Sequence, residues 1–430
     1  MYTSKALKEY KIKEIEYCRI HGRTDLSQPA VPLFWNGSGI ELNVSGSELW
    51  LDIEVDFELF EPWVSVELNG SFMSRQMLMP GRQYFCLFRC MTPSEKKTVF
   101  FRRELQAMHE DDACHIVIHG VLSDGQFFPV KDRRYKLEFI GDSITSGEGT
   151  YGAKSDTDWL SMYMSSSINY ATLIGKELDA EVRLLSQGGF GVYTGWDNDI
   201  RHNMPAYYDP ICGLAFGEAN EKLGAMKPYD FSSWQPDAIV VNLGTNDDSA
   251  FHQPPFTDPE TGENHKMRRK SDVANCPVSR SQTGEWRINK AIEPSSMGTS
   301  NAQASPVTVS TSQTATEPKT ISSAESAEKD YLEEDVAKVK KAVTDFLAHL
   351  REKNPESHIV WVYGMLGYAL SLSISEAVSS YIRESGDTNV FYLQLPNTTE
   401  DELGAHAHPG PSAHIKAAEI LSDYLAKRLR

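Results

Sequence analysis

The hydrophobic pattern of the chain changes its period near residue 130, and no other feature constrains the fold as strongly. Before that point, apolar and polar residues alternate in short runs such as 40–44, 49–57 and 63–68. Gly, Ser, Pro or Asn residues separate these runs at a spacing of roughly ten residues. Alternation with period 2 and frequent turns is typical of a β-sandwich or jelly roll. We therefore predict an all-β domain over residues 1–132.

After residue 133, near-continuous apolar strands alternate with segments of helical periodicity. The predicted strands are Tyr135–Ile140, Glu181–Ser186, Ala238–Leu243, Ile359–Tyr363 and Val390–Leu393. The predicted helices include Asn169–Leu178, Tyr331–Lys353 and Pro411–Leu429. This alternation predicts a parallel sheet that helices cover on both faces. Residues 133–430 are therefore expected to form an α/β domain.

One segment inside this domain shows neither strand alternation nor helical periodicity. Residues from about 258 to 327 are rich in Ser, Thr, Gln, Ala and Pro and contain almost no apolar runs. A segment of this composition cannot bury enough apolar surface to join a compact core. We predict that it is a disordered insertion on the surface.

Charge and composition exclude several classes of partner. The chain has 42 Lys and Arg against 60 Asp and Glu, a net charge of −18. An acidic chain without a basic run argues against nucleic acid and against anionic membranes. Residues 1–17 lack the apolar core of a signal peptide, and no window reaches the ~20 apolar residues of a membrane span. We expect a cytoplasmic protein, or a secreted one if its N-terminus has been trimmed.

The six cysteines show no CxxC pair and no metal-ligand spacing. This distribution favours free thiols over a disulfide framework or a metal site. We therefore expect neither a metal nor another cofactor. Oligomeric state is not encoded in any feature of the sequence.

Four short blocks of polar and small residues stand at strand ends or helix starts. They are Gly141-Asp142-Ser143, Gly188-Gly189-Phe190-Gly191, Asn242-Leu243-Gly244-Thr245-Asn246-Asp247 and His408-Pro409. Open α/β sheets place their chemistry at the carboxyl edge of the strands. In this order, the four blocks resemble the SGNH (GDSL-type) hydrolases, and the resemblance implies a flavodoxin-like SGNH hydrolase domain.

The resemblance implies a role for one residue in each block. Ester hydrolysis requires a nucleophile, a base that takes its proton, and donors for the oxyanion. Ser143 is the candidate nucleophile and His408 the candidate base. The candidate oxyanion donors are the backbone N–H groups of Ser143 and Gly189 and the side-chain amide of Asn246. A glycine at position 189 lets the chain approach a substrate without a Cβ atom in the way.

The third member of a catalytic triad is missing from its usual place. In this superfamily an Asp commonly lies three residues before the catalytic His, and here that position holds Ala405. A backbone carbonyl could orient His408 instead, which would give a Ser–His dyad, or Glu402 or Asp401 could supply a carboxylate. His406 competes with His408 for the role of base, although His408 matches the family pattern.

A further resemblance narrows the family. The combination of a jelly roll with an SGNH domain, together with residues 234–237 and 360–367, resembles the carbohydrate esterase family 2 acetyl esterases. This resemblance implies removal of O-acetyl groups from carbohydrate, often at the 6-position of hexose units. The expected partner is an acetylated oligo- or polysaccharide. The candidate substrate-contacting residues are Asp142, Tyr193, Trp196 and Tyr363.

Other interpretations remain open at this point. The chain could be a lipid or aryl ester hydrolase of the same superfamily, or a non-catalytic carbohydrate-binding protein. The β-domain could be a sugar-binding module or a structural cap. The presence of Ser143, Gly189, Asn246 and His408 together favours an active serine esterase.

Overall fold

The computed structural model describes residues 6–274, 278–280, 286–288 and 328–429. Its N-terminal part is a sandwich of a five-stranded and a six-stranded antiparallel sheet. The strands are β1 (Lys8–Lys11), β2 (Arg19–His21), β3 (Val31–Pro32), β4 (Gly39–Val44), β5 (Leu49–Asp56), β6 (Trp63–Leu68), β7 (Ser71–Met77), β8 (Gly81–Phe88), β9 (Lys97–Arg103), β10 (His115–Ser123) and β11 (Phe127–Phe128). One sheet has the order β1-β10-β5-β8, with β3 also paired to β10. The other has the order β11-β4-β9-β6-β7, with β2 also paired to β4.

The alternation in the sequence explains how the two sheets of the sandwich pack together. Along β5, Leu49, Leu51, Ile53 and Val55 are all buried, because successive side chains of a strand point to opposite faces of its sheet. They form one core with apolar residues of β4, β6, β9 and β10. The predicted all-β N-terminal part is therefore confirmed.

The second part is a parallel five-stranded sheet with helices on both faces. Its strands are β12 (Tyr135–Gly141), β13 (Ala180–Ser186), β14 (Ala238–Asn242), β19 (His358–Met365) and β20 (Val390–Asn397). The order β13-β12-β14-β19-β20 places the second strand of this part beside the first, followed by the third, fourth and fifth. This is the flavodoxin-like order 2-1-3-4-5. The predicted fold class is confirmed.

The helices of this part are α1 (Ser143–Ser146), α2 (Tyr170–Glu177), α3 (Glu218–Lys222), α4 (Thr245–Ala250), α5 (Lys270–Ala274), α6 (Glu333–Lys353), α7 (Ser371–Ser385) and α8 (Pro411–Ala426). The longer ones, α2, α6, α7 and α8, pack on the two faces of the sheet. Two apolar clusters, one on each face, fill the space between helices and sheet. Among the described residues, no helix combines the length and the apolar character needed to cross a membrane.

The sandwich and the α/β part share contacts in their interiors. Phe34 and Trp35, which precede β4, belong to a core cluster of the α/β part, and Nε1 of Trp35 donates to the carbonyl of Ile211 at 2.7 Å. Arg23 pairs with Glu138 of β12 at 3.1 Å. The proposed division at 132/133 falls between β11 and β12, and it remains a prediction that these are two domains.

The predicted disordered insertion at about 258–327 lies mostly outside the described residues. Its first part has a defined conformation, which corrects the predicted start. Strand β15 (Phe256–Thr257) pairs with β16 (Asn264–His265), and Met267 is buried ahead of α5. Polar contacts hold this part, such as the one from Lys266 Nζ to the carbonyl of Phe251 at 3.0 Å. Hydrophobic periodicity cannot reveal order of that kind. Disorder of the undescribed residues stays a prediction.

Two further strands fall within the predicted insertion. β17 (Val278–Arg280) pairs with β18 (Trp286–Ile288) in an antiparallel ladder. They show that the range is not uniformly without secondary structure.

Candidate active site

Two of the four blocks meet where the strand order of the sheet reverses. β12 and β14 are neighbours, and flavodoxin-like sheets bind their ligands in the crevice outside the carboxyl ends of these two strands. Ser143 begins α1 just after β12, and Asn246 lies in the first turn of α4 just after β14. Ser143 is 7% exposed and Asn246 is 8% exposed, so both lie at the bottom of the crevice.

His408 reaches this crevice from the C-terminal segment. Its Nε2 atom lies 2.8 Å from Oγ of Ser143, and its Nδ1 atom lies 2.7 Å from the carbonyl oxygen of His406. A carbonyl oxygen can only accept, so Nδ1 carries the proton of the neutral imidazole. Nε2 is then the acceptor, and the hydroxyl of Ser143 donates to it. The segments of Ser143 and His408 therefore do meet, as the sequence predicted.

The orienting group of His408 is the backbone carbonyl, one of the alternatives left by the sequence. The two carboxylates considered earlier are engaged elsewhere. Glu402 pairs with Lys416, and Asp401 accepts from Oγ1 of Thr399. The carboxylate that does lie close is Glu148, whose Oε1 atom is 3.6 Å from Nδ1 of His408. Sequence reasoning missed Glu148, although it stands only five residues after Ser143.

The loop that carries Gly189 is shaped by two glycines. Gly189 has φ +82°, a left-handed conformation that side-chain-bearing residues rarely adopt, and a Cβ atom there would lie 3.1 Å from Cδ1 of Trp196. At Gly191, a Cβ atom would lie 2.4 Å from Oδ2 of Asp247. Both positions therefore require glycine, and the loop passes directly over the start of α4.

Helix α4 holds this loop in place. Nδ2 of Asn246 donates to the carbonyl of Phe190 at 2.9 Å. The fully buried carboxylate of Asp247 accepts from three backbone N–H groups at 2.8, 2.8 and 3.1 Å, those of Val192, Tyr193 and Thr194. Asp247 is a second residue that sequence reasoning missed. Its place directly after Asn246 was the only signal.

The sandwich holds the same loop from the other side. Oε1 of Gln106 accepts from the backbone N–H of Gly188 at 2.8 Å. The ring of His109 packs edge-on against Phe190 with centroids 5.1 Å apart, and its Nδ1 atom lies 3.2 Å from Nε2 of Gln187. Gln106 and His109 lie between β9 and β10, so local sequence offered no signal for this contact. The sandwich therefore contributes to the geometry of the crevice.

Two of the four candidate substrate-contacting residues are placed where a substrate could reach them. Trp196 is 43% exposed beside Gly189, and Tyr193 is half-buried. Asp142 and Tyr363 are buried, and their assignment as substrate contacts stays a prediction. Asp142 caps α1, its Oδ1 atom accepting from the N–H of Ile144 at 3.0 Å. Tyr363 belongs to β19, where every residue is buried between the helix layers.

Asp142 is expected to make the protein less stable as the pH rises. Burial raises the pKa of this carboxyl to about 7, and its Oδ2 atom has no hydrogen-bond partner among the described residues. An unfolded Asp ionises near pH ~4, so from about pH 4 to about pH 7 the folded state holds the extra proton. Stability is therefore lost as the pH rises through that range.

Asp142→Asn keeps an acceptor for Ile144 and cannot ionise. The free energy of unfolding of this variant in urea should rise relative to that of the wild type as the pH increases from about 4 to about 7. The difference between the two proteins should grow by at most ~1.4 kcal/mol per pH unit. A difference between the two proteins that stays constant with pH would contradict this assignment.

One cluster near the site has the composition of a metal centre. Glu148, His406 and His408 offer ligand atoms that lie within 4.8 Å of one another. These atoms are already engaged in hydrogen bonds, since Nδ1 of His406 donates to Glu148 at 2.6 Å and Nδ1 of His408 donates to a carbonyl. The hydrogen bonds account for the cluster without an ion.

Comparison with known proteins agrees with this geometry. Residues 137–421 match the family GDSL-like Lipase/Acylhydrolase. The chain therefore belongs to the GDSL-like lipase/acylhydrolase family, a family of ester hydrolases. The resemblance to the SGNH hydrolases predicted from the four blocks is confirmed.

Among solved structures, the chain is similar to an acetyl xylan esterase from the rumen bacterium Butyrivibrio proteoclasticus. The two are 44% identical, the match covers 99% of each chain, and the TM-score is 0.84. A family two carbohydrate esterase from Clostridium thermocellum, solved in complex with cellohexaose, shares the fold. It is 20% identical with a TM-score of 0.66, and the match covers 96% of this chain and 99% of that one. The resemblance to carbohydrate esterase family 2 is thus also confirmed.

A curated relative is the acetylxylan esterase / glucomannan deacetylase of Cellvibrio japonicus. It is 26% identical over 241 residues, which is 54% of this chain and 61% of the relative. Another curated relative is the cellulase/esterase CelE of Acetivibrio thermocellus, of which the match covers 26%. The chain therefore spans only part of the length of the curated relatives it matches.

Proposed function

We propose that the chain is a serine esterase that removes O-acetyl groups from carbohydrate. The observation that carries the proposal is the distance of 2.8 Å between Oγ of Ser143 and Nε2 of His408 at the switch point of the sheet. The similarity to an acetyl xylan esterase along 99% of both chains supports acetyl as the acyl group and carbohydrate as the alcohol.

The mechanism follows from the tautomer of His408. Nε2 takes the proton of Ser143 as Oγ attacks the acetyl carbonyl carbon. The imidazolium then gives this proton to the sugar oxygen. The bond between that oxygen and the acetyl carbon breaks, which leaves an acetyl-enzyme. A water molecule, deprotonated by Nε2, attacks the acetyl carbon; the bond from that carbon to Oγ breaks, the imidazolium returns its proton to Oγ, and acetate leaves. The carbonyl of His406 keeps Nδ1 protonated throughout, which keeps Nε2 directed at the hydroxyl.

The negative charge that develops on the carbonyl oxygen requires donors. We assign the backbone N–H groups of Ser143 and Gly189 to this role. The amide of Asn246 has two N–H groups, of which one donates to Phe190. We assign the other N–H group of Asn246 to the oxyanion. Hydrogen bonds from Asn246 and to Asp247 already hold the loop that carries Gly189, so we expect little reorganisation in the transition state.

Asn246→Ala tests this assignment. Loss of one preorganised oxyanion donor is expected to lower kcat by roughly 10²- to 10³-fold with little change in KM. The measurement is steady-state hydrolysis of 4-nitrophenyl acetate. Ser249→Ala, on the same helix but with its hydroxyl bonded to the carbonyl of Thr245, is the matched control and should keep wild-type activity. Equal rates for Asn246→Ala and the control would remove Asn246 from the site.

The substrate class is tested with esters that differ in acyl chain and alcohol. We expect release of acetate from acetylated xylo- and gluco-oligosaccharides, including sugars acetylated at the 6-position of a hexose. Hydrolysis of 4-nitrophenyl acetate should exceed that of the butyrate ester by about tenfold or more, since each added methylene must fit the acyl pocket. Trp196, exposed beside Gly189, is the candidate surface for a sugar face.

Two outcomes would favour the other interpretations. A preference for butyrate or longer acyl chains would indicate a lipid or aryl esterase. Binding of oligosaccharide without release of acetate from any ester would indicate a non-catalytic carbohydrate-binding protein.

A further inference from the structure

Glu148 places a buried carboxylate beside the imidazole of His408. Its Oε1 atom lies 2.6 Å from Nδ1 of His406 and 3.6 Å from Nδ1 of His408, and its side chain is 6% exposed. Trp159 donates a further hydrogen bond to it. These neighbours are all donors, so the position fits an acceptor that carries a negative charge.

The carboxylate is ionised in spite of its burial. Burial alone would raise the pKa of Glu148, but His408 and His406 outweigh burial and hold the pKa below its ordinary value. The hydrogen bond from His406 to Glu148 in turn raises the pKa of His406. A charged group therefore stands within 4 Å of the protonated nitrogen of His408.

The turn before His408 is strained and needs support. His406 and Ala407 both have positive φ, 52° and 53°, which costs residues with a side chain about 1 kcal/mol or more each. The hydrogen bond of the His406 ring to Glu148 and the bond from its N–H to the carbonyl of Asp156 at 2.7 Å hold this conformation. The turn is what aims the carbonyl of His406 at Nδ1 of His408.

A carbonyl alone supplies less negative charge to the imidazole than the carboxylate of a triad does. It fixes the tautomer of the imidazole, but it carries only a partial charge to stabilise the imidazolium that forms during attack. A full negative charge within about 4 Å favours the protonated ring much more. Glu148 is placed to provide that charge from a position outside the usual triad.

We propose that Glu148 is a positioning residue for the hydrolytic reaction, which acts on His408 in two ways. Through His406 it locks the turn whose carbonyl orients the imidazole, and through space it supplies the charge that is absent at Ala405. The inference rests on the proposed function, because it assigns the role of base to His408.

The other titratable groups around His408 do not replace this charge. Ser143 is the hydrogen-bond partner of Nε2. His414 is fully buried, and burial lowers its pKa to about 3, so it is neutral. Asp158 interacts with His406, and Asp142, whose pKa burial raises to about 7, caps α1.

Glu148→Gln is the principal test. An amide at this position removes the charge and turns an N–H donor toward His406 or Trp159, which are themselves donors. We expect kcat for 4-nitrophenyl acetate to fall roughly 10- to 100-fold while KM changes little. One nearby charge changes the stability of a protonated ring, relative to the neutral ring, by roughly 10- to 1000-fold. The acid limb of the pH profile should move to lower pH, because the protonated imidazole loses its stabilising charge. Glu148→Asp should recover part of kcat and return the acid limb toward its original position.

A second readout needs no substrate. In the free wild type, the Nδ1 proton of His408 should give a low-field NMR signal, since it is held in a hydrogen bond of 2.7 Å. This signal should broaden or vanish in Glu148→Gln. His406→Asn, which tolerates positive φ but lacks the imidazole, should have the same effect and serves if Glu148→Gln does not fold.

Glu402→Gln is the matched control. Glu402 is a buried glutamate of the same C-terminal segment, but it pairs with Lys416 instead of with the histidines. Its substitution should leave the NMR signal and the acid limb unchanged. If Glu148→Gln also leaves both unchanged, the proposal is overturned. If the wild type releases no acetate from carbohydrate but the signal responds to Glu148→Gln and not to Glu402→Gln, the proposed function fails and the positioning role stands.

Discussion

Ser143→Ala and His408→Ala are each expected to lower kcat for acetyl ester hydrolysis by roughly 10⁴-fold or more. The hydroxyl and the imidazole are 2.8 Å apart and act as one unit, so removal of either leaves the other without a function. The double variant should therefore be no slower than either single variant. Binding of substrate should persist, because neither side chain is assigned to the sugar.

His406→Ala is the control that separates the two histidines. His406 is assigned an orienting role through its carbonyl and its ring, and a carbonyl remains after substitution. Its effect on kcat should be clearly smaller than that of His408→Ala. Activity that survives Ser143→Ala would remove the nucleophile assignment, and a larger loss in His406→Ala than in His408→Ala would exchange the two histidines.

Arg23→Met is expected to lower the free energy of unfolding by about 3–5 kcal/mol. The guanidinium of Arg23 is fully buried, 3.1 Å from the carboxylate of Glu138, and it packs on the rings of Tyr208 and Tyr229 at 4.6 and 4.3 Å. Met would fill much of the volume but would leave the buried charge of Glu138 without its counter-charge. Urea unfolding at neutral pH measures the loss.

Arg19→Met is the matched control for this pair. Arg19 lies four residues earlier and pairs with Asp132, whose side chain is 97% exposed. An ion pair open to solvent contributes little, so this variant should unfold almost as the wild type does. Equal losses in the two variants would show that burial of the Arg23–Glu138 pair is not what stabilises the protein. The contrast matters because Arg23 joins the sandwich to the first strand of the α/β part.

Hydrophobic periodicity predicted the architecture best where strands are buried. The strand predicted at Tyr135–Ile140 is observed at Tyr135–Gly141, and its residues from Leu137 to Gly141 are all buried. The edge strand Ser71–Met77 was not predicted, because it is largely exposed and carries no alternation. The last strand extends beyond its predicted end at Leu393 to Asn397. Backbone pairing with β19 extends it, although this part of the sequence has few apolar residues.

The candidate site was predicted in part. Ser143, Gly189, Asn246 and His408 could be selected because each lies at a strand end or helix start in a recognisable block. Their roles remain proposals, although their positions fit them. Asp142 and Tyr363 are buried, and their role as substrate contacts stays a prediction, because sequence does not distinguish a polar residue that faces the crevice from one that caps a helix or fills the core.

What the sequence by itself determined is therefore the order of strands and helices and the four blocks at their ends, since periodicity and local turn chemistry are properties of neighbouring residues. Only the tertiary structure decided which group orients His408, because the carbonyl of His406 acts through a strained turn that Glu148 supports from far away in the chain. It also decided that Gln106 of the sandwich supports the Gly189 loop, since that contact joins residues 82 positions apart. Interactions of this kind depend on how distant segments pack, and no local pattern records them.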